Sequence, residues 1–323
     1  MSSEPNFLAV TPNPAIDRRL HVGQLAVGEV NRAGRVENAA GGKGLNVVRA
    51  ARTLGYRVVA TGPLGGHTGH LFADLTCAEG LDTDWYWLES GDTRITTLIT
   101  HDNRDTTVIN EPGPAVSKMA WLEFLAHIQG LADQSAAITL SGSLPPDVDT
   151  AEFCALARSL ALPERRVYLD TSGEVLQLAL SQPDRLCIKV NRTELATGLR
   201  QSLAEVTDVV KAGKMLLMCG AALVVVTMGR EGAIAIAPEG CWQANSPAVE
   251  VVSTVGSGDS LLAGFAVALL NGEPIEYALK LGVACGAANA TSHLPGRFEY
   301  ATVEKLLAQV EITELSRAEE GIT

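Results

Sequence analysis

Short apolar runs rich in β-branched residues alternate with longer segments of helical periodicity along most of this chain. The runs lie at residues 7–10, 57–62, 136–140, 167–169, 186–190 and 222–229. Runs of this length, bounded by polar and glycine-containing segments, indicate buried strands. Strands that alternate with helices are typical of a parallel sheet covered on both faces. We therefore predict one α/β domain over residues 1–323, with three layers and a mostly parallel sheet.

A weaker strand pattern lies outside this alternation. Residues 21–37 carry isolated apolar positions broken by glycines, residues 85–88 are largely aromatic, and residues 93–109 read as a hairpin with its turn at Asp102 and Asn103. We predict that segments of about 18–37 and 85–110 form a small separate sheet, a lid. Because exposed apolar strands usually find a partner, we expect a homodimer through this lid. Residues from about 311 onward are polar and are predicted to fray.

Composition excludes several classes of function. The 323 residues are 46% hydrophobic and 19% charged, which is typical of a globular protein with a large core. The formal net charge of −12 provides no diffuse basic field for nucleic acid or an anionic membrane. The six scattered cysteines lack zinc-site spacing and indicate reduced thiols. With no secretory signal or membrane-spanning apolar run, we expect a cytoplasmic protein.

A candidate reaction centre lies at the predicted start of a helix near the C-terminus. Gly256, Ser257, Gly258 and Asp259 follow the β-branched segment 249–252, which we predict to be a strand, and precede the apolar segment 261–270. The amides of a first helical turn and the helix dipole form a site for a phosphate or an oxyanion. A carboxylate at this point is either a favourable first-turn charge or a general base for phosphoryl transfer to an alcohol.

Polar residues with a related potential role lie in the first hundred residues. Asp17 follows the first strand, where it is either a ligand contact or a turn former. Gly42, Lys43 and Asn46 form a glycine-rich entrance to a helix, and an ammonium there suits a phosphate, although a solvated lysine gives the same pattern. The spacing is not that of a P-loop. Arg94 opens the hairpin as a bidentate partner for a phosphate or as a cross-strand ion pair.

Further polar residues follow the predicted strands of the main sheet, at the edge where open α/β sheets bind ligands. Ser143 follows residues 136–140 and is either a phosphate contact or part of a turn. Asn191 and Glu194 lie three residues apart in a first helical turn, a spacing that is also typical of a capping arrangement.

Six motifs occur in an order that resembles the ribokinase-like (PfkB) sugar kinases: N-P-A-x-D, G-G-K-G-x-N, T-R, N-E-P-G-P, G-S-L-P and G-S-G-D. The resemblance covers almost the whole chain and is nearest to the bacterial 1-phosphofructokinase branch, with the tagatose-6-phosphate kinase and minor 6-phosphofructokinase branches close behind. It departs from the family pattern at Ser257, where alanine is usual, and at Val190, where proline is usual. The resemblance implies a ribokinase-like α/β/α fold with a β-sheet lid.

The resemblance also implies roles for individual residues. Asp259 would be the catalytic base, and the amides of Ser257, Gly258 and Asp259, after the turn at Gly256, would stabilise the transferring phosphoryl group. The sugar hydroxyls would be held by Asp17, Gly42 and Asn46. The phosphate already on the sugar would be held by Lys43, Arg94 and Ser143; we expect Lys43 and Arg94 to lie at the end of the pocket away from Asp259.

The nucleotide side is implied in the same way. The residues expected to bind ATP are Lys189, Asn191, Glu194, Thr227, Gly229, Gly232 and Asn289. Among them, Asn289 is expected to reach the adenine, and Glu194 is expected to hold Mg²⁺ through water. A monovalent cation such as K⁺, bound by carbonyls near residues 252–256, is common in the family.

The activity implied by the resemblance is ATP-dependent phosphorylation of a ketohexose monophosphate. We place fructose 1-phosphate first, with tagatose 6-phosphate and fructose 6-phosphate as alternatives, because the three branches share their catalytic motifs. The expected partners are therefore ATP and a phosphorylated ketohexose. A non-catalytic sugar-phosphate sensor on the same fold is the alternative from another class. A dehydrogenase is a third reading, but the G-S-G at 256–258 lacks a third glycine and lies far from the first strand.

Overall fold

The computed structural model describes residues 7–101 and 106–317, and most strands in these residues belong to one large sheet. The strands are β1 Phe7–Val10, β2 Ala15–His21, β3 Arg35–Gly41, β4 Val59–Thr61, β5 Pro63–Leu64, β6 Asp82–Thr83, β7 Tyr86–Trp87, β8 Arg94–Thr100, β9 Thr106–Asn110, β10 Ala137–Ser141, β11 Arg166–Asp170, β12 Cys187–Asn191, β13 Leu223–Thr227, β14 Ala233–Ala237, β15 Gly240–Ala244 and β16 Ile312–Arg317.

The large sheet is parallel over most of its width. Within the described residues it has ten strands in the order β16-β15-β14-β13-β12-β11-β10-β1-β4-β6. Neighbouring strands from β13 to β6 are parallel, and β14, β15 and β16 add an antiparallel edge. The prediction of a mostly parallel sheet is confirmed.

Helices cover both faces of this sheet. They are α1 Lys43–Thr53, α2 Gly66–Ala78, α3 Lys118–Ala132, α4 Thr150–Leu160, α5 Gly173–Ser181, α6 Arg192–Leu199, α7 Val206–Met218, α8 Ser257–Leu270, α9 Ile275–Ala290 and α10 Tyr300–Leu307. One core contains side chains of α1, α2, α8, α9 and α10, and the other contains side chains of α3 to α7. Among the residues that the structure describes, none of the helices combines the length and apolar character that crossing a bilayer requires.

Strand β1 shows why the sheet could be predicted from apolar runs. Its side chains alternate between the two cores: Phe7 and Ala9 contribute to one, and Leu8 and Val10 to the other. A strand between two helical layers therefore has no polar face, and its sequence is a continuous apolar run.

The C-terminal segment does not fray over the described residues, so that prediction is wrong. Strand β16 pairs with β15, with Ile312 opposite Ala244. The side chains of residues 312–316 are partly or fully exposed, and the segment is ordered mainly by backbone hydrogen bonds at the edge of the sheet.

The small sheet has the order β3-β2-β8-β9. Residues 22–34 are not strands, contrary to the prediction, and Val27 is 93% exposed. The prediction that residues 85–88 belong to this sheet is also wrong, because β7 pairs with β5 and Trp85 packs edge-on against Phe72 of α2 at 5.3 Å. The turn predicted at Asp102 and Asn103 lies outside the described residues.

The segment before α8 is also irregular, although residues 249–252 were predicted to be a strand. The amides of Val252 and Ser253 both donate to the carbonyl of Ala290, at 2.8 and 3.2 Å. The segment is therefore fixed by the last turn of α9 instead of by a neighbouring strand. This position makes it one wall of the cavity described below.

Candidate active site

The start of α8 supplies two backbone amides that have no partner among the residues the structure describes. Gly256 precedes the helix with a φ of 81°, which a residue with a side chain rarely adopts. The amide of Ser257 donates to the carbonyl of Thr254 at 3.2 Å, so it does not join the predicted anion site. Within the described chain, the amides of Gly258 and Asp259 make no hydrogen bond, as is usual in a first helical turn. The site predicted from three amides is therefore built from two.

The ammonium of Lys189 lies against this helical turn. A Cβ atom on Gly258 would lie 2.6 Å from Lys189 Nζ, so any larger residue here would displace the ammonium from its present position. Lys189 is on β12 and donates to Asp170 Oδ2 at 2.8 Å. A positive charge and two free amides thus converge on one point, and this arrangement suits a phosphoryl group.

Asp170, at the end of β11, bridges two lysines and was not identified from the sequence. It is fully buried, and its other carboxylate oxygen accepts a hydrogen bond from Lys43 Nζ at 2.9 Å. Burial opposes its ionisation, but the ammonium groups of Lys189 and Lys43 outweigh burial and hold its pKa below the usual range. The available signal was an acidic residue at the carboxyl end of a buried strand, where ligand sites of α/β sheets form.

Lys43 therefore lies near Asp259, which contradicts the expectation that it lies at the far end of the pocket. The carboxylates that raise the pKa of Lys43 against its burial are those of Asp170, Asp259 and Glu194. The carboxylates that act on Arg94 are those of Asp17 and Glu111. The two sets do not overlap, so the two cations occupy different parts of the site.

Asp259 has the environment of a general base. Its side chain is buried, and Asn46 Nδ2 donates to its Oδ2 at 2.8 Å. Burial and the nearby carboxylate of Asp170 raise the pKa of Asp259 from 3.8 to about 6, against the opposing effects of Lys189 and Lys43. A carboxylate with this pKa is ionised at neutral pH and is a stronger base than an exposed aspartate.

Asn46 was predicted to hold a sugar hydroxyl, but its amide contacts the candidate base. Its Oδ1 accepts a long hydrogen bond of 3.4 Å from Arg49 Nη1. Arg49 is in turn fixed by Glu79, with both carboxylate oxygens at 2.9 Å. Glu79, which caps the C-terminus of α2, thus acts through Arg49 to orient the Asn46 side chain that touches Asp259.

Asp17 and Arg94 mark the other part of the site, where β2 and β8 of the small sheet lie side by side. Burial raises the pKa of Asp17 from 3.8 to about 6, although Arg19, Arg49 and Arg94 act against it. The Arg94 guanidinium donates to the carbonyls of Asn13 and Glu111. Gly41 and Gly42 lie at the junction of β3 and α1, and a Cβ atom on Gly41 would overlap the Asp17 carboxylate. Ser143 is exposed in the loop after β10.

A cavity of about 670 Å³ opens beside the start of α8. Its lining is mostly small or apolar and includes four of the predicted ATP-binding residues together with two residues of the helix start: Asn191, Thr227, Gly229, Gly232, Ser257 and Gly258. The remaining walls come from Arg230, residues 246–249, Val251, Thr254, α8 and α9. Its volume and apolar walls suit the purine nucleoside part of a nucleotide, with the phosphates of that nucleotide at the amides of α8.

Asn289 does not line this cavity, and the geometry contradicts its predicted contact with the adenine. The residue is 1% exposed. Its Nδ2 donates to the carbonyl of Val255 at 2.8 Å and to Ser257 Oγ at 3.1 Å, and its Oδ1 accepts from Ser260 Oγ at 3.2 Å and from the amide of Gly296 at 2.7 Å. Asn289 instead joins the start of α8 to the loop that follows α9.

Asn191 and Glu194 form the capping arrangement that the sequence left open. Asn191 Oδ1 accepts from the Glu194 amide at 2.8 Å, and Glu194 Oε2 accepts from the Asn191 amide at 2.9 Å. No group of three or more histidine, cysteine or acidic residues that could hold a metal occurs within 7–101 and 106–317. One partly exposed carboxylate beside a phosphate site fits a Mg²⁺ ion that keeps most of its water, as Mg²⁺ on nucleotides does.

Comparisons with known proteins give a consistent result. The sequence profile of the pfkB family carbohydrate kinases matches residues 13–299. The chain is 34% identical over 306 residues to a 1-phosphofructokinase from Bacillus subtilis. The alignment covers 95% of this chain and 99% of that protein.

Solved structures of phosphofructokinase-2 from Escherichia coli superpose on almost the whole chain. The structure in complex with substrates and products has a TM-score of 0.86 at 27% identity and covers 94% of this chain and 99% of that one. The complex with potassium has a TM-score of 0.87 at 26% identity and covers 95% of this chain and 99% of that one. A tetrameric inhibited form has a TM-score of 0.86 at 27% identity and covers 94% of this chain and 99% of that one.

Proposed function

The chain belongs to the pfkB family of carbohydrate kinases, and on that premise we propose that it transfers the γ-phosphoryl group of ATP to a hydroxyl of a ketohexose monophosphate. The observation that carries the proposal is the convergence at α8. A carboxylate with a raised pKa, two free amides and the lysine pair on Asp170 lie within one site, beside a cavity large enough for a nucleoside.

The mechanism assigns each step to a group. Asp259 accepts the proton of the attacking hydroxyl, whose oxygen forms a bond to the γ-phosphorus while the bond to the leaving oxygen of ADP breaks. The amides of Gly258 and Asp259 and the ammonium of Lys189 face the charge that develops on the transferring group. Lys43 binds the other carboxylate oxygen of Asp170 and also faces the transferring phosphoryl group. Mg²⁺ bound with ATP near Glu194 would neutralise part of the phosphate charge.

Fructose 1-phosphate is the substrate that we place first, since the Bacillus subtilis relative is named a 1-phosphofructokinase. With Lys43 assigned to the reaction centre, Arg94 and Ser143 remain as the anchor for the phosphate already on the sugar. Asp17 lies next to Arg94 in the small sheet and is placed to accept sugar hydroxyls. Tagatose 6-phosphate and fructose 6-phosphate present similar groups and remain the competing substrates.

The test is kcat/KM for these three sugars with ATP, measured by ADP release. We expect fructose 1-phosphate to lead by about tenfold or more, the difference that one lost buried hydrogen bond produces. A tenfold preference for either 6-phosphate would overturn the choice of sugar and leave the kinase assignment intact. Binding of a hexose phosphate without ADP release for any sugar would instead favour the sensor.

We also propose a homodimer through the small sheet. Val36, Leu20 and Ile99 lie opposite one another on β3, β2 and β8, so they form one apolar row on one face. Val36 is 56% exposed in the single chain. Burying this row against a second copy would remove apolar surface from water. The Escherichia coli enzyme has a tetrameric form, so sedimentation must distinguish a dimer from larger assemblies.

A monovalent cation is a further candidate ligand, because the Escherichia coli relative has a potassium complex. The carbonyls of residues 252–256 would bind it, and the carbonyl of Val255 is already oriented by Asn289. Turnover compared in K⁺, Na⁺ and tetramethylammonium salts at equal ionic strength tests the assignment. Equal rates in the three salts would exclude it.

A further inference from the structure

The small sheet is attached to the main domain by several chain crossings, and Asn13 links the first of them to the last. In the described residues these crossings are residues 11–14 before β2, the junction of β3 and α1, residues 91–93 before β8, and residues 111–114 after β9. Asn13 lies on the first crossing and is 3% exposed.

The contacts of Asn13 reach every element that carries the proposed anchor for the sugar phosphate. Its Nδ2 donates to the carbonyl of Pro112 on the last crossing at 3.0 Å, and to the carbonyl of Leu144, next to Ser143, at 3.1 Å. Its own carbonyl accepts from Arg94 Nε at 3.2 Å and Nη2 at 3.0 Å. One residue therefore sets the distance between Arg94 and the loop of Ser143.

The orientation of the Asn13 side-chain amide is fixed by its two N–H donors and not by its oxygen, Oδ1. Asn13 Oδ1 is buried and has no hydrogen-bond partner among the described residues, which is unfavourable. Turning the amide over would place this oxygen against the carbonyls of Pro112 and Leu144. Gly113, with a φ of 104°, leaves room for the amide, since a Cβ atom there would lie 2.5 Å from Asn13 Oδ1.

We propose that Asn13 is a positioning residue for the phosphate group of the substrate. It fixes Arg94 and the Ser143 loop in one geometry and ties both to the crossings of the small sheet; the proposal rests on the proposed function. The contacts of Arg94 with Asn13 and Glu111 use three of the five N–H donors of a guanidinium, and within the described chain two remain for a phosphate. A phosphate that enters this geometry meets donors that need no further ordering.

The first test is Asn13→Leu, which keeps the approximate volume and removes both donors. We expect the KM for fructose 1-phosphate to rise about 10- to 100-fold, the range for lost buried hydrogen bonds. Because Asn13 touches neither Asp259 nor the nucleotide cavity, kcat should change by less than about threefold and the KM for ATP should stay constant. The Kd for unphosphorylated fructose, measured by calorimetry, should also stay constant.

Three further variants keep the proposal falsifiable. Gly113→Ala disturbs the same amide from the other side and should give the same change in KM, which covers the possibility that Asn13→Leu does not fold. Val209→Ala, in the core of the distant helix α7, is the control for lost stability and should leave both KM values unchanged. In an Arg94→Met background, the effect of Asn13→Leu should shrink, because the two residues act through one anchor.

Three outcomes would overturn the inference. The first is a fall in kcat together with a rise in both KM values, which indicates general damage. The second is a full, additive effect of Asn13→Leu in the Arg94→Met background. The third is wild-type activity that depends on Arg94 but not on Asn13 or Gly113, which would refute this inference alone. Failure of the proposed function looks different: the wild-type protein would then phosphorylate no ketohexose monophosphate.

Discussion

Replacing Asp259 with asparagine should remove activity and make the protein more stable. The substitution keeps the shape of the side chain and an oxygen that can accept from Asn46 Nδ2, 2.8 Å away in the wild type. It removes the group that takes the proton, so kcat should fall by roughly 10²-fold or more. It also removes a buried negative charge that lies near Asp170, so the free energy of unfolding at neutral pH should rise.

The size of the stability change follows from the pKa of Asp259, which is raised from 3.8 to about 6 in the folded protein. The folded state binds the proton more tightly than the unfolded state does. The contribution of the protonated form is fully present below the unfolded pKa and is lost as pH rises through the folded pKa. At ~1.4 kcal/mol per pKa unit, ionisation of Asp259 costs about 3 kcal/mol at pH 7. We therefore expect Asp259→Asn to be about 1–3 kcal/mol more stable at pH 7, and roughly half of that at pH 5.

The assays are ADP release and urea unfolding at both pH values. Asp149→Asn is the matched control: Asp149 is an exposed N-cap of α4, and asparagine caps a helix equally well. The control should change neither kcat nor stability. Wild-type kcat/KM should also fall as pH drops below about 6, where Asp259 becomes protonated. An asparagine variant that keeps turnover within tenfold of wild type, or that is less stable at pH 7, would refute the reasoning.

Three further predictions separate the parts of the site. Lys43→Met should lower kcat about 10²-fold with a small change in the KM for the phosphosugar. Arg94→Met should instead raise the KM for the phosphosugar about 10- to 100-fold. The opposite pattern in steady-state kinetics would show that Lys43 binds the phosphate of the sugar. Ala287→Phe fills the nucleotide cavity and should raise the KM for ATP at least about tenfold without changing phosphosugar binding, measured by calorimetry. Val36→Lys should shift the sedimenting species from dimer to monomer, and a wild-type monomer at micromolar concentration would contradict the dimer.

The strands of the main sheet could be predicted because burial on two faces leaves a strong local signal. The prediction for β1 covers the residues observed, and the apolar runs at 136–140, 167–169, 186–190 and 222–229 correspond to β10, β11, β12 and β13, with ends that differ by one or two residues. The start of α8 could be predicted for a related reason, since glycines followed by an apolar helix have few alternatives. The antiparallel edge formed by β14, β15 and β16 was not predicted. Strand β14 is a buried apolar run of the kind that was recognised elsewhere, whereas β16 has a largely polar sequence without such a contrast.

The position of Lys43 could not be predicted from local sequence. A lysine between glycines at a helix start can point toward either end of the pocket, and the choice depends on Asp170, 127 residues further along the chain. The same limit applies to Asn289. Its sequence context allows a ligand contact, but four hydrogen bonds to two separate segments use its amide inside the protein. Pairings of this kind depend on tertiary structure that periodicity does not describe.

The two lysines that Asp170 bridges differ in their exposure to solvent. The Lys189 side chain is 7% exposed and lies beneath Gly258, whereas the Lys43 side chain is 36% exposed. If Lys43 turns toward an incoming phosphoryl group, Asp170 keeps Lys189 as its partner, so no buried carboxylate is left without a cation. Loss of both partners would be costly, because an unpaired buried charge is strongly destabilising. A carboxylate held by two lysines thus leaves the more exposed lysine free to move, and this is why we expect Lys43→Met to act on kcat and to leave the fold intact.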